Sequence, residues 1–302
     1  MPYKKIILVI LLLSFNLSIF SQRSARWKRM RYEIFYGIGA TNFLGELGGA
    51  NKQGTNFLSD FEFSMTRPLL SLGFRYMMLE RVSTKVMLSY GWLRGDDKTT
   101  TEQYRNYRNL SFYTPLVEFA VQGEYHIIKE RIGHRYNLRR VRGVKGIKLN
   151  TYLFGGIAGF WFNPKGKDQN GKWQSLQPLG TEGQTVSPVR KKYSRVQVAI
   201  PFGIGFKYGI DRKWSMGLEL GIRKTFTDYI DDVSTTYYDN DAIKTANGDN
   251  AAYLADPSSG ENPGWTVGGQ QRGDPTDNDT YMFMILNLTY KLRTGRGGLP
   301  KF

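Results

Sequence analysis

SRVQVAIPFGIGFKYGI, residues 194–210, is the stretch whose reading decides the fold. Val196, Val198, Ile200, Phe202, Ile204, Phe206, Tyr208 and Ile210 take every second position, and Arg195, Gln197, Ala199, Gly203, Gly205, Lys207 and Gly209 fall between them. Side chains alternate across a strand with period two, so one face of this segment is apolar and the other small or polar. Strands of globular sheets run about 5–6 residues, and this alternation lasts far longer. A tilted strand crosses a bilayer in about 9–11 residues, which this segment exceeds.

The pattern recurs on both sides. After a turn at Asp211 to Lys213, Trp214, Met216, Leu218, Leu220 and Ile222 alternate with Gly217, Glu219, Gly221 and Arg223. Upstream, Leu70, Leu72, Phe74, Tyr76 and Met78 stand against Ser71, Gly73 and Arg75. Across a tight turn at Glu80 and Arg81, Val82, Val86, Leu88, Tyr90 and Trp92 oppose Ser83, Lys85, Ser89 and Gly91. Further strands are readable near 32–40, 112–128, 148–162 and 280–292. The fold class is therefore all-β: a transmembrane antiparallel up-and-down barrel of about eight strands with long extracellular loops. In KLNTYLFGGIAGFWF both faces are apolar, so the pattern leaves open whether Tyr152, Phe154 and Phe160 or Leu149, Leu153 and Trp161 meet lipid. Tyr76, Trp92, Trp161, Trp214 and Tyr290 suit interfacial girdles.

Export is indicated independently. MPYKKIILVILLLSFNLSIFSQ has a basic head, an apolar core and Ser21 where a signal peptidase can cut, so residues 1–21 read as a signal peptide and 22–302 as the outer-membrane barrel. The apolar run is too short to span a bilayer as a helix. Loss of Lys4 and Lys5 lowers the formal charge from +16 to +14. The chain has no cysteine, which excludes disulfides, an N-terminal lipid on Cys and thiolate metal sites.

With a periplasmic N-terminus, the connections 41–67, 94–111, 163–193 and 227–279 fall outside, and these are the long ones, as barrels of this kind require. Charge divides the same way. The loop 227–279 carries eleven acids against Lys244 and Arg272. The inner side receives the basic N-terminal segment 22–31, the connection 129–148 (KERIGHRYNLRRVRGVKGIK) and Arg293, Arg296 and Lys301 of the tail. Basic runs often mean nucleic acid, but none is present in that compartment, and the reading is set aside. The alternative reading of this charge is contact with anionic lipid, at about 1 kcal/mol per residue. The connection is longer than a strand reversal needs, which favours a protein partner, with Arg131, Arg135, Arg139, Arg140, Arg142 and Lys145 as the contact residues.

Positions on the inner face include Glu33, Glu118, Glu124 and Glu219 beside Arg75, Lys85, Lys207 and Arg223. A barrel of about eight strands is just wide enough to be filled by side chains, and buried charges must pair. A lumen charge network follows, and with it a filled bore, with a narrow water-lined channel as the alternative. The only histidines, His126 and His134, lie near the periplasmic end, so no Ser/His/Asp set can be assembled near the outer loops, and the chain reads as non-enzymatic. His126 beside Glu124 reads as structural. Asp239-Asn240-Asp241 and the acids from Asp274 to Asp279 offer hard oxygen ligands for Ca²⁺, but the ordinary reading is a solvated acidic loop. The expectation is no cofactor, no metal and no small-molecule substrate. The runner-up is a surface binding or adhesion barrel that uses its acidic loops.

Five strings carry a family resemblance: YEIFYGIGATNFLGELGG (32–49), RNLSFYTPLVEFAVQGEY (108–125), YLFGGIAGFWFNPK (152–165), GTEGQ (180–184) and TFTDYIDDVSTTYY (225–238). Together they resemble the PorG family of outer-membrane barrels associated with the type IX secretion apparatus of gliding and pathogenic Gram-negative bacteria. The resemblance implies a membrane anchor for the periplasmic ring formed by PorK and PorN. It would give the basic face its task, and it brings no catalytic motif.

Overall fold

The computed structural model describes residues 27–45, 47, 63–100, 102–130, 148–295 and 299–301. The signal-peptide reading of 1–21, residues 22–26 of the segment 22–31, and Arg131, Arg135, Arg139, Arg140, Arg142 and Lys145 lie outside these residues.

Eight long strands make the wall: β1 (Tyr32–Leu44), β2 (Arg67–Met77), β3 (Val82–Asp96), β4 (Ser111–Ile128), β5 (Leu149–Phe162), β6 (Val196–Gly209), β7 (Trp214–Thr225) and β8 (Thr280–Thr294). Each pairs antiparallel with its neighbour in sequence, and β8 returns to β1, so the sheet closes with no free edge. Closure is what permits a sheet to sit in hydrocarbon, where an unpaired backbone amide costs several kcal/mol. Among the described residues no helix is long and apolar enough to cross a membrane.

Alternation becomes sidedness of the wall. Leu70, Leu72, Leu88, Phe119, Val198, Ile200, Met216 and Leu286 are exposed on the outside of the barrel. The intervening Ser71, Arg75, Lys85, Ser89, Glu118, Glu124, Lys207 and Glu219 are buried. The open question in β5 is settled: Leu149, Leu153, Ile157 (66 % exposed) and Trp161 face outward, and Tyr152, Phe154 and Phe160 are buried in the lumen. Aromatic pairs mark both rims of the apolar belt. Tyr90 and Trp92 lie 4.9 Å apart near one end, and Trp214 with Tyr290 (4.8 Å) and Tyr32 with Tyr76 (5.0 Å) near the other.

One end, here the turn end, carries short reversals. Met78 and Leu79 N–H donate to the Val82 carbonyl, and Ile210 and Asp211 N–H to that of Trp214. The Asp211 carboxylate accepts from the Lys213 and Trp214 amides (2.6 and 2.7 Å), a side chain closing its own turn. The opposite, loop end carries the long connections, and these are folded. They contain the helices Gln103–Arg108, Leu176–Leu179, Asn240–Asn247 and Asp249–Ala255 and a small hairpin, Lys165–Lys167 with Trp173–Ser175, whose first strand pairs onto Tyr113 of β4.

Candidate functional site

Two polar assemblies stand out, one in the lumen and one above it. In the lumen, Arg75 of β2 is the hub. Its guanidinium donates to Glu124 (2.7 Å), Glu33 (2.9 Å), the Tyr152 hydroxyl (3.1 Å) and Glu219 (3.2 Å), which brings β1, β4, β5 and β7 onto one side chain. Lys85 donates to Glu219 at 2.5 Å and lies 3.7 Å from Glu124. Lys207 donates to both Glu33 oxygens at 2.8 Å. Nearer the loop end Arg223 donates to Glu118 (3.3 Å), which also accepts from the Tyr281 hydroxyl (2.8 Å), and the guanidinium lies over the Phe283 ring at 4.0 Å. Four acids and four bases thus balance, and all eight are buried. Toward the loop end the bore is closed by an apolar plug including Phe43, Phe112, Phe160, Phe162, Tyr281 and Phe283. The side chains fill it.

His126 sits below this network with a geometry that invites a catalytic reading. Its Nε2 is 2.8 Å from Ser83 Oγ, and its Nδ1 is 2.8 Å from Asn150 Oδ1. The nucleophile–base–orienter order is present, but Ser83 and His126 are fully buried. The Ser83 hydroxyl also lies 2.5 Å from a Glu124 carboxylate oxygen. The chain Asn150–His126–Ser83–Glu124 ties three strands together.

The second assembly is the cap at the loop end, where the acids divide: Asp239, Asp241, Asp274 and Asp277 are exposed, as a solvated acidic loop requires, and others are not. Asp228, Asp231, Asp232 and Asp279 of 227–279 are buried. At the centre lies Glu182, fully buried, whose carboxylate accepts from the Ser234 amide (2.9 Å), the Thr235 amide (3.2 Å), the Thr235 hydroxyl (2.7 Å) and Arg272 (3.0 Å). Arg272 also donates to the Asp232 carbonyl (2.6 Å). The Asp232 carboxylate accepts from Tyr193 (2.6 Å) and from Thr181. GTEGQ (180–184) and the DDVSTT part of TFTDYIDDVSTTYY (225–238) are therefore the two halves of one polar core. Their backbones explain the composition: Gly180 caps the helix Leu176–Leu179 at φ 60°, and Gly183 has φ 82° with the Tyr238 ring filling the place where a Cβ would stand. Burial pushes the Asp232 carboxyl up to about 6, against the pull of Arg272, Thr181 and Tyr193. Burial also raises the Tyr193 phenol, and Asp232 beside it adds to the shift.

The cap is bolted to the wall. The Ile230 carbonyl accepts from Thr114 of β4 (2.8 Å), and its amide donates to Asp279 (2.8 Å). Tyr193 stacks on Tyr229 at 4.6 Å, and Arg108 holds Asp97 with two hydrogen bonds of 2.8 and 3.1 Å. The acids whose spacing suggested Ca²⁺ ligands are engaged otherwise: Asp239 caps the helix Asn240–Asn247 and Asp274 accepts twice from Thr276. Among the described residues no group of three His, Cys, Asp or Glu side chains converges as a metal would need. Nothing in the alternation of the strands signals this cap, because its partners lie far apart in sequence.

A family model described as a domain of unknown function, DUF6089, matches residues 4–255. No curated protein matches the sequence. Among solved structures the chain is similar to Neisserial surface protein A, at 9 % identity over 86 % of this chain and 96 % of that one, with a TM-score of 0.38. It is also similar to Ail, the attachment invasion locus protein of Yersinia pestis (8 %, 87 % and 99 %, TM-score 0.37). A third is a major outer membrane protein from Thermus thermophilus (12 %, 86 % and 99 %, TM-score 0.36).

Proposed function

For this chain, which belongs to the DUF6089 family, we propose a non-enzymatic role as an outer-membrane barrel of the type IX secretion system that anchors a periplasmic ring. The loop end then faces outside and the turn end the periplasm. The observation that carries this reading is the charge of the turn end. Lys28, Arg29, Arg81, Lys148, Arg212, Lys213 and Arg293 are exposed there. The acids beside them are committed: Glu80 to Lys129, Glu130 to Lys291 (2.6 Å), and Asp211 to its own turn. A positive face of this kind steers and orients an acidic partner. The filled lumen supports the same reading from another side, since a barrel with no open bore is suited to holding a complex in place. Ring components resembling PorK and PorN are the proposed partners.

The test is crosslinking in intact envelopes from a photoreactive residue at position 140, with identification of what is captured. A parallel strain carries R135E, R139E, R140E, R142E and K145E. Capture of the ring, and its loss from the charge-reversed barrel while that barrel stays inserted, is the expected result. Ring recovery unchanged by the five reversals refutes the anchor. Antibody access to a tag at position 140 on unbroken cells refutes the orientation.

A further inference from the structure

Beyond the apolar belt the wall continues as a short sheet. Arg94 of β3 is the cross-strand partner of Tyr113, and Tyr113 that of Lys165 in the small hairpin. Between this edge and the segment from Tyr253 to Pro257 lies a cleft of about 320 Å³, at the small end of the range for ligand pockets, about 300–1,000 Å³, and suited to one small polar group. Its floor is apolar, with Leu110, Phe112, Leu176 and Val233. Arg94, Lys98, Lys167 and Trp173 are among the remaining lining residues.

The charges around the cleft are unequal in how they are employed. Asp168 accepts from the Asn170 and Lys172 amides (3.0 and 2.8 Å) and the Gln174 side chain (3.0 Å), which holds its carboxyl below the usual range. Asp96 caps a turn through the Lys98 amide (3.1 Å) and stands 3.6 Å from Arg94. Asp231 accepts from the Val233 amide (3.0 Å), and Arg272 belongs to Glu182. Lys98 and Lys167 are exposed, and among the described residues neither pairs with a carboxylate. Lys167 instead lies over the Trp173 ring at 5.2 Å, and that ring in turn meets Tyr113 at 5.2 Å. In a cap whose last connection is strongly acidic, the cleft thus has unneutralised cations and an aromatic plate at 38 % exposure.

We infer that the cleft binds a phosphorylated sugar. The phosphate would be held by Lys98 and Lys167 with Arg94, whose charge-assisted hydrogen bonds are the strong kind. The ring would lie against Trp173, an aromatic that offers an apolar plate with a polar tip. Asn109, Ser111 and Gln169, also in the lining, supply hydroxyl partners. The same chemistry is offered by a free sugar phosphate and by the headgroup of a phosphorylated glycolipid in the adjoining leaflet. The site is independent of whatever the turn end holds.

The test uses the full chain folded in detergent, titrated by calorimetry with glucose 1-phosphate, glucose and inorganic phosphate, and in a second arm placed in nanodiscs with and without lipopolysaccharide. Glucose 1-phosphate should bind at least about ten-fold tighter than glucose or inorganic phosphate. K98E/K167E should lose about ten-fold or more, and W173A should weaken the sugar phosphate while leaving inorganic phosphate unchanged. K191E, an exposed lysine outside the cleft, should match the wild type. Heat-modifiable gel migration verifies that each variant is folded. Saturable binding in the nanodisc arm alone, with the same lysine dependence, assigns the ligand to the lipid headgroup. Equal affinity for glucose 1-phosphate and inorganic phosphate, binding indifferent to K98E/K167E, or no saturable binding in either arm overturns the inference.

Discussion

Replacing Arg75 by Leu tests the lumen network most sharply. The substitution removes four charge-assisted hydrogen bonds of 2.7–3.2 Å and leaves Glu33, Glu124 and Glu219 facing Lys85 and Lys207 alone. One buried carboxylate is then in excess, and breaking a buried pair in this way costs about 3–5 kcal/mol. With an m-value of about 2 kcal/mol per M, the urea midpoint should fall by roughly 2 M. The structure also says which second change restores the balance. Glu33 keeps both contacts from Lys207 at 2.8 Å and Glu219 keeps Lys85 at 2.5 Å, so Glu124 is the acid left with the weakest partner, Lys85 at 3.7 Å and shared with Glu219. R75L/E124Q should therefore recover at least about half of the loss, a gain from removing a second polar contact that additivity does not allow. The assay is urea unfolding in detergent followed by heat-modifiable migration. A midpoint for R75L within about 0.5 M of the wild type, near 1 kcal/mol, refutes the reasoning. So does a double variant no more stable than the single one.

The cap offers a pH test. A carboxyl near 6 in the fold and about 3.9 unfolded binds its proton more tightly when folded, so its contribution is full below about pH 4 and is lost, by about 3 kcal/mol, as pH rises through 6. Amide exchange of the cap should thus slow, beyond the intrinsic rate change, from pH 7 to pH 5, and D232N should flatten the response. Gly183→Ala places a Cβ on the Tyr238 ring at positive φ and should loosen the cap by about 1–3 kcal/mol, read as faster protease cleavage within 227–279 with the barrel intact. Ile157→Arg puts a charge on the lipid face near mid-strand and should cost about 2–4 kcal/mol of folding in bilayers, whereas the opposite side of β5 would show no depth dependence. In planar bilayers the wild-type barrel should show no steady conductance.

Which parts of this molecule could be read in the chain follows from periodicity. The faces of β2, β3, β6 and β7 were legible because Ser71, Arg75, Lys85, Lys207 and Glu219 alternate with large apolar residues. The same contrast located all eight charges of the lumen network. β5 resisted because its inner residues, Tyr152, Phe154 and Phe160, serve the aromatic plug and are as apolar as the lipid face. The cap was opaque for a different reason: Glu182, Asp232 and Arg272 meet through irregular backbone, and composition alone makes the last two look solvated. The cations of the cleft were lost among the surrounding acids, since no local rule reports that Asp168 is already occupied by its own turn.

The Glu182–Arg272 contact also dictates an order of assembly. Ninety residues separate the two partners, and between them run β6, β7 and most of the last long connection, with its two helices. Closing so large a span is entropically expensive for a free chain, and becomes cheap only once the intervening hairpin has been zipped into the wall. The lid therefore knits after the β6–β7 hairpin has been seated in the wall.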